Sequence, residues 1–250
     1  MALRASPGSA PPALAAAPPI PAQPTLGAVL RQAAGDFYYN SWRLVPANLA
    51  WGALLLTILA MAGLWSSLAL LALPVLGVAY AGMARLAVLI ARGESVALGD
   101  AFATWRRCLG SGLGLGAGVL AAAAVLSFNV WYAVADGGVP AVAIGTAGAW
   151  GLVALATFAV VAWPLLVDPA RADAPVRARL RLAALLVLAH PRRMLSLAAL
   201  VVVLLALSTV AFAALLTVSV AFSALVAARY VLPAADRLEA RLAARGGGQG

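Results

Sequence analysis

The chain has 250 residues, of which 64% are hydrophobic and 10% charged, and its mean hydropathy is +1.00. Soluble domains carry about a quarter charged residues, so this composition excludes an ordinary soluble protein and leaves apolar chain for several membrane spans of about 20 residues. The formal net charge is +9, and all 17 basic residues are arginine. These arginines border apolar runs and are not interleaved with aromatic residues, which favours a bilayer with an anionic inner leaflet as partner and excludes nucleic acid.

Chemistry-bearing residues are scarce. Cys108 and His190 are the single cysteine and the single histidine, which excludes a disulfide framework and a Cys/His metal cluster. The apolar runs hold no paired carboxylates and no nucleophile with an adjacent base. The sequence therefore predicts no catalytic, cofactor-binding or metal-binding residues, and it predicts that the protein is not an enzyme.

The amino-acid composition of the amino-terminal region changes near residue 25. Residues 1–24 are rich in alanine and contain seven prolines, which predicts a disordered cytoplasmic tail. Residues 25–43 place apolar side chains at helical spacing and end in an aromatic cluster beside Arg43. Amphipathic rings next to an arginine are typical of the membrane–water boundary, so this segment is predicted to be an interfacial helix that leads into the first span.

The apolar runs predict six transmembrane helices, over residues 47–66, 68–90, 109–134, 140–167, 194–210 and 213–231. Pro74 and Gly77 predict a kink in the second span. Residues 194–228 carry no charge, and as one helix they would extend ~52 Å, which favours two short spans over one long tilted helix. The turn is placed at Ser208–Thr209 or at Thr217. Residues 239–250 are predicted to be a tail in which the last helix frays.

The third span opens with glycines two residues apart, so several Gly-xxx-Gly pairs lie along it. Glycine lets helix backbones approach closely, and the sequence predicts a helix-packing surface at Gly110, Gly112, Gly114, Gly116 and Gly118.

The distribution of charge predicts the topology. With six spans and the amino terminus inside, all 17 arginines lie in the cytoplasm, and Asp136 is the only outer charge. Segments ending at Arg43, Arg107 and Arg193 each precede two spans. The predicted fold is an all-α polytopic membrane protein of three hairpins, each preceded by a cytoplasmic interfacial amphipathic helix, with both termini cytoplasmic. The three segments that end in arginine could be an internal repeat of this unit. The alternative explanation is that every cytoplasmic loop before a span ends in arginine.

Two charged connectors, Glu94–Arg107 and Pro175–Arg193, together hold nine charged residues between apolar runs. Asp100 is placed to cap a helix within the first connector. We expect these connectors to contact a membrane-protein partner or a second copy of the chain, through Glu94, Asp100, Arg106, Arg107, Arg177 and Arg181. The alternative is a transporter subunit for a neutral sugar-like solute, with a polar cavity lined by Trp51, Tyr80, Asn129, Trp131, Tyr132 and Trp150.

Three segments carry a resemblance to a known family. FYYNSWRLVPANLAW (Phe37–Trp51) leads into the first span, Tyr80…Arg85…Arg92-Gly93-Glu94 ends the second, and V-x-L-x-D-A-F-x-x-x-R-R follows at Val96–Arg107. Over Gly27–Leu238 the chain resembles the YesL-like family of bacterial integral membrane proteins, although its proline-rich start departs from that family. The resemblance implies a bacterial plasma membrane and an accessory or regulatory role linked to carbohydrate uptake. It implies no catalytic residue.

Overall fold

The computed structural model describes residues 24–246, and these residues form helices without any strand. The predicted disordered tail lies outside the described residues except for Pro24, as do the last four residues of the predicted carboxyl-terminal tail. Within this described part of the chain, six helices are long and apolar enough to cross a membrane: Leu26–Leu64, Ser67–Arg92, Leu109–Asp136, Val139–Val167, Pro191–Val210 and Phe212–Arg245. The prediction of an all-α protein with six membrane spans is confirmed at this level.

The helices are numbered in chain order. Their bounds are α1 Leu26–Leu64, α2 Ser66–Ala72, α3 Val75–Arg92, α4 Leu98–Arg107, α5 Leu109–Asp136, α6 Val139–Val167, α7 Val176–Ala189, α8 Pro191–Val210, α9 Phe212–Ala214 and α10 Val220–Gly246. A 3₁₀ turn at Pro169–Arg171 follows α6, and a π-helical segment at Leu215–Ser219 joins α9 to α10.

Helix α1 unites two segments that the sequence treats separately. The predicted interfacial helix and the first span form one helix of 39 residues, although Pro46 lies inside it. Side chains support the helix just before this proline, since the Asn40 amide donates to the Asp36 carbonyl at 2.9 Å and Arg43 donates to Asn40 Oδ1 at 2.8 Å. In contrast, α4 and α5 separate at Cys108, and α7 and α8 separate at His190.

The second span is interrupted at Pro74, where the sequence predicts a kink. Helix α2 ends at Ala72 and α3 begins at Val75, so the break falls at Leu73–Pro74. Proline lacks the amide hydrogen that would continue the helical ladder, which is the physical reason for the break.

The last apolar run forms two helices that meet at Ala211, where φ is −104° and ψ is 75°. The turn lies near the predicted Ser208–Thr209 position and carries neither glycine nor proline. Hydroxyl groups hold it instead, because Ser208 donates to the Leu204 carbonyl and forms a short hydrogen bond with Ser219 across the turn.

Helices α3 and α10 form the centre of the bundle. Helix α10 packs against α1, α3, α6 and α8, and α3 packs against α1, α4, α5 and α6. Helix α5 is peripheral and contacts chiefly α6, where Gly145 approaches Ala133 and Gly151 approaches Leu126. The later residue of α6 meets the earlier residue of α5, so the two helices are antiparallel.

The five glycines of α5 divide between two faces. A Cβ at Gly112 would lie 3.3 Å from Val78 Cα, and one at Gly116 would lie 3.1 Å from the Pro74 carbonyl oxygen. This face therefore packs against α3, as expected for small residues between helices. The other face, Gly110, Gly114 and Gly118, has no neighbouring atom within 4 Å of an added Cβ and lines an open groove.

Substituting Gly77 tests the close approach of α3 to α5. An added Cβ would lie 2.9 Å from the Gly112 carbonyl oxygen and 3.2 Å from Gly116 Cα, so two backbones must separate. We expect Gly77→Ala to lower the free energy of unfolding in mixed micelles by about 1 kcal/mol, from overpacking. Gly114→Ala is the matched control, because its Cβ meets nothing within 4 Å, and it should not destabilise the protein. Equal loss in both variants would contradict this account.

Candidate functional site at the charged end of the bundle

The carboxyl ends of α3 and α6 meet the second half of α10 in a network of five charged side chains, which we call the charged end. Arg92 binds Asp168 at 2.7 Å and Asp236 at 2.7 Å. Arg171 binds Asp168 closely, Asp236 at 2.7 Å and Glu239 at 2.5 Å. The network thus joins three segments that are distant in sequence.

Burial differs across this network. The side chain of Asp168 is fully buried and that of Arg171 is 6% exposed, whereas Asp236 and Glu239 are nearly half exposed. Burial favours loss of the Arg171 proton, but the hydrogen bonds that its guanidinium donates to Glu239 and Asp236, with the charges of Glu239 and Asp168, outweigh burial and hold its pKa above the usual value. Asp168 also accepts a hydrogen bond from the Ala170 amide at 3.2 Å, which starts the 3₁₀ turn. The network is therefore a structural junction whose charges are mutually satisfied.

A second junction connects α1 to α10. Arg229 Nε donates to Asp36 Oδ2 at 2.7 Å, and the same guanidinium reaches the Ile90 and Ala91 carbonyls at the end of α3. Because helix ends leave carbonyls without intrahelical partners, this arginine satisfies acceptors that would otherwise be unpaired.

Arginines from three helices line a pocket of about 230 Å³ beside this network. Arg85 of α3 donates to the Val167 carbonyl at 2.8 Å, and Arg179 of α7 donates to the neighbouring Leu166 carbonyl. Arg107, the last residue of α4, forms no hydrogen bond or ion pair with residues 24–246. Arg85 lies within an apolar run, and its side chain reaches the carboxyl end of α6.

The candidate partner residues fall into two groups. Asp100 accepts from the Ala97 amide at 2.8 Å and so caps α4, as predicted. The other five are exposed and form no hydrogen bond or ion pair within the described chain: Glu94, Arg106, Arg107, Arg177 and Arg181. The pocket joins their two helices, because α4 contributes Arg107 and α7 contributes Arg179 to its wall.

The residues considered for a polar transport cavity do not share one surface. Trp131 and Trp150 are each more than 60% exposed, whereas the Tyr80 ring packs edge-on against Trp163 with centroids 5.3 Å apart. Trp51 is half-buried and packs against the core. Exposed tryptophans on a membrane helix are typical of the interfacial belt.

Sequence reasoning missed the acidic half of the charged end. It assigned the arginines to membrane orientation and gave no role to Asp168, Asp236 or Glu239. One signal was present: these carboxylates lie at the same ends of apolar runs as the arginines, where a buried charge needs a partner. The pairing itself spans 76 residues for Arg92 with Asp168 and 144 for Arg92 with Asp236, beyond the range of any local pattern.

Comparison with protein-family models, with curated proteins and with solved structures gave no match for this chain.

Proposed function

We propose that the chain is a plasma-membrane protein of the bacterial YesL-like type, with three hairpins, interfacial helices at α4 and α7, and both termini in the cytoplasm. We propose further that it is an accessory or regulatory component of a carbohydrate-uptake system. The motifs between Phe37 and Arg107 support the family, and the concentration of arginine at the charged end supports the orientation.

One observation carries the accessory role. The charges of the network at Asp168 satisfy one another, whereas the five exposed charges on and beside α4 and α7 are unpaired within the described chain. Unpaired charges on two helices that line one pocket can meet complementary charges of a partner without breaking the internal network. The alternative, a transporter subunit for a neutral sugar-like solute, has less support because Trp131 and Trp150 face outward.

Sugar uptake in the source cell tests this proposal. Deletion of the gene should lower uptake of at least one sugar in a panel, and the wild-type gene should restore it. The double variant Arg177→Glu/Arg181→Glu should restore less than half of that uptake at equal membrane level, because it reverses two exposed charges on α7. Arg241→Glu/Arg245→Glu is the matched control, since it reverses two exposed charges on α10, and it should restore uptake fully.

Two outcomes would contradict the accessory role. Unchanged uptake of every sugar after deletion would remove the link to carbohydrate. Sugar movement by the purified full chain alone in liposomes would instead identify a transporter.

A further inference from the structure

The pocket at the charged end has more hydrogen-bond donors than the protein can satisfy. Each of its three guanidinium groups carries five N–H donors. Arg85 and Arg179 each donate to one carbonyl at the end of α6, and Arg107 donates to none within residues 24–246. The Nε of Arg179 is buried and has no acceptor among the described residues. A buried donor without an acceptor is costly, so the surplus indicates an acceptor-rich ligand.

The local charge balance indicates that this ligand is an anion. Asp168 also borders the pocket, but Arg92 and Arg171 already bind its carboxylate. Within the pocket and the adjoining network, five arginines face three carboxylates, which leaves an excess of two positive charges. Guanidinium groups bind phosphate oxygens in a bidentate geometry, so a phosphate group matches both the charge and the donors.

Capping of α6 explains only part of this arrangement. Arginines near a helix carboxyl end commonly bind its last carbonyls, as Arg85 binds Val167 and Arg179 binds Leu166. Capping gives no role to Arg107, and it leaves Arg179 Nε without an acceptor.

An apolar groove of about 580 Å³ shares two of its helices, α6 and α7, with the arginine pocket. Arg179 of the pocket is followed on α7 by Leu180 of the groove, and Cys108 of the pocket precedes Gly110 of the groove by two residues. The groove continues along α5 to Gly118, which is ~12 Å from Gly110 at 1.5 Å per residue. Leu155 and Phe158 of α6 form its opposite wall. A polar pocket at a helix end and an apolar groove leading away from it match the two parts of a phospholipid.

We propose that this composite site binds an anionic phospholipid, with its phosphate among Arg85, Arg107 and Arg179 and one acyl chain along Gly110, Gly114 and Gly118. Basic pockets between membrane helices are a known setting for anionic headgroups. The absence of side chains on this face of α5 makes room for the chain. The proposal does not depend on a role in sugar uptake.

Lipid binding to the full chain in detergent tests the site. Native mass spectrometry should show tighter binding of dioleoyl-phosphatidylglycerol than of dioleoyl-phosphatidylcholine, which has the same acyl chains. Arg107→Gln should weaken phosphatidylglycerol binding about tenfold, as expected for a lost charge-assisted contact, without disturbing any internal hydrogen bond. Arg241→Gln, which makes the same charge change on α10, should leave the affinity unchanged.

A groove-filling variant separates a lipid from a free anion. Gly114→Leu should weaken phosphatidylglycerol binding about tenfold and leave binding of inorganic phosphate, followed by titration calorimetry, unchanged. If Gly114→Leu has no effect on the lipid, the pocket binds a free anion and the lipid proposal is overturned. It is also overturned if the two lipids bind equally tightly, or if Arg241→Gln weakens lipid binding as much as Arg107→Gln does. A third contradicting outcome is that Gly114→Leu dissociates an oligomer measured by light scattering, which would assign the groove to a second copy of the chain.

Discussion

Replacing Asp168 with alanine is expected to lower the free energy of unfolding by about 3 kcal/mol, because removal of one partner leaves buried charge uncompensated. Asp168 accepts from Arg92 and Arg171, and its side chain is fully buried. Without this carboxylate, the almost wholly buried Arg171 is paired, among the described residues, only with Asp236 and Glu239, whose side chains are nearly half exposed. Unfolding of the purified chain in mixed micelles with increasing denaturing detergent measures the change.

Asp173→Ala is the matched control for Asp168→Ala. Asp173 lies five residues further along the same connector, is exposed, and forms no hydrogen bond or ion pair within the described chain. Its removal should change the free energy of unfolding by no more than about 0.5 kcal/mol. If both variants lose the same stability, the network at Asp168 does not hold α3, α6 and α10 together.

Replacing Asn48 with leucine is expected to cost about 2 kcal/mol of unfolding free energy, measured in the same way. Asn48 is fully buried on α1, and its amide donates to the Leu215 carbonyl at 3.0 Å while its oxygen accepts from the Ala221 amide at 2.7 Å. Both backbone groups belong to or follow the π-helical segment, where the regular hydrogen-bond ladder is interrupted. Leucine keeps the branched shape of the side chain, although it is larger, and it removes the hydrogen-bond partners of the half-buried Leu215 carbonyl and the buried Ala221 amide.

Asn129→Leu provides the comparison for Asn48→Leu. Asn129 lies on α5, is half-buried, and makes no hydrogen bond within residues 24–246. An apolar side chain on a peripheral membrane helix should be neutral or slightly stabilising. A similar loss at both positions would show that the cost comes from the substitution itself and not from the cross-helix bonds of Asn48.

Asn48 and the glycines of α5 show why packing between distant helices was not predictable from the sequence. Asn48 gave no signal of its role in the sequence, because its partners lie 167 and 173 residues away. The glycines of α5 were predicted as one packing surface, yet Gly112 packs against α3 and Gly114 faces an open groove. Spacing along a helix tells which residues share a face, but the neighbour of each face depends on the whole bundle.

The helix ends give a similar contrast. Pro74 marked the break in the second span, where the missing amide hydrogen of the proline interrupts the helical ladder. Ala211 could not be identified as a turn, because alanine favours helix and neither glycine nor proline marks the position. Pro46 did not break α1, although the same residue type ended α2.

The sequence by itself determined six apolar spans and the helical class, because span length and hydropathy are properties of local chain that the thickness of a bilayer selects. It also identified Asp100 as the cap of α4 and the exposed arginines of α4 and α7. Only the tertiary structure decided which charges are paired, because Asp168 and Arg171 meet Arg92 and Asp236 through the arrangement of three helices. The same arrangement brings Arg85, Arg107 and Arg179 to one pocket, since each comes from a different helix.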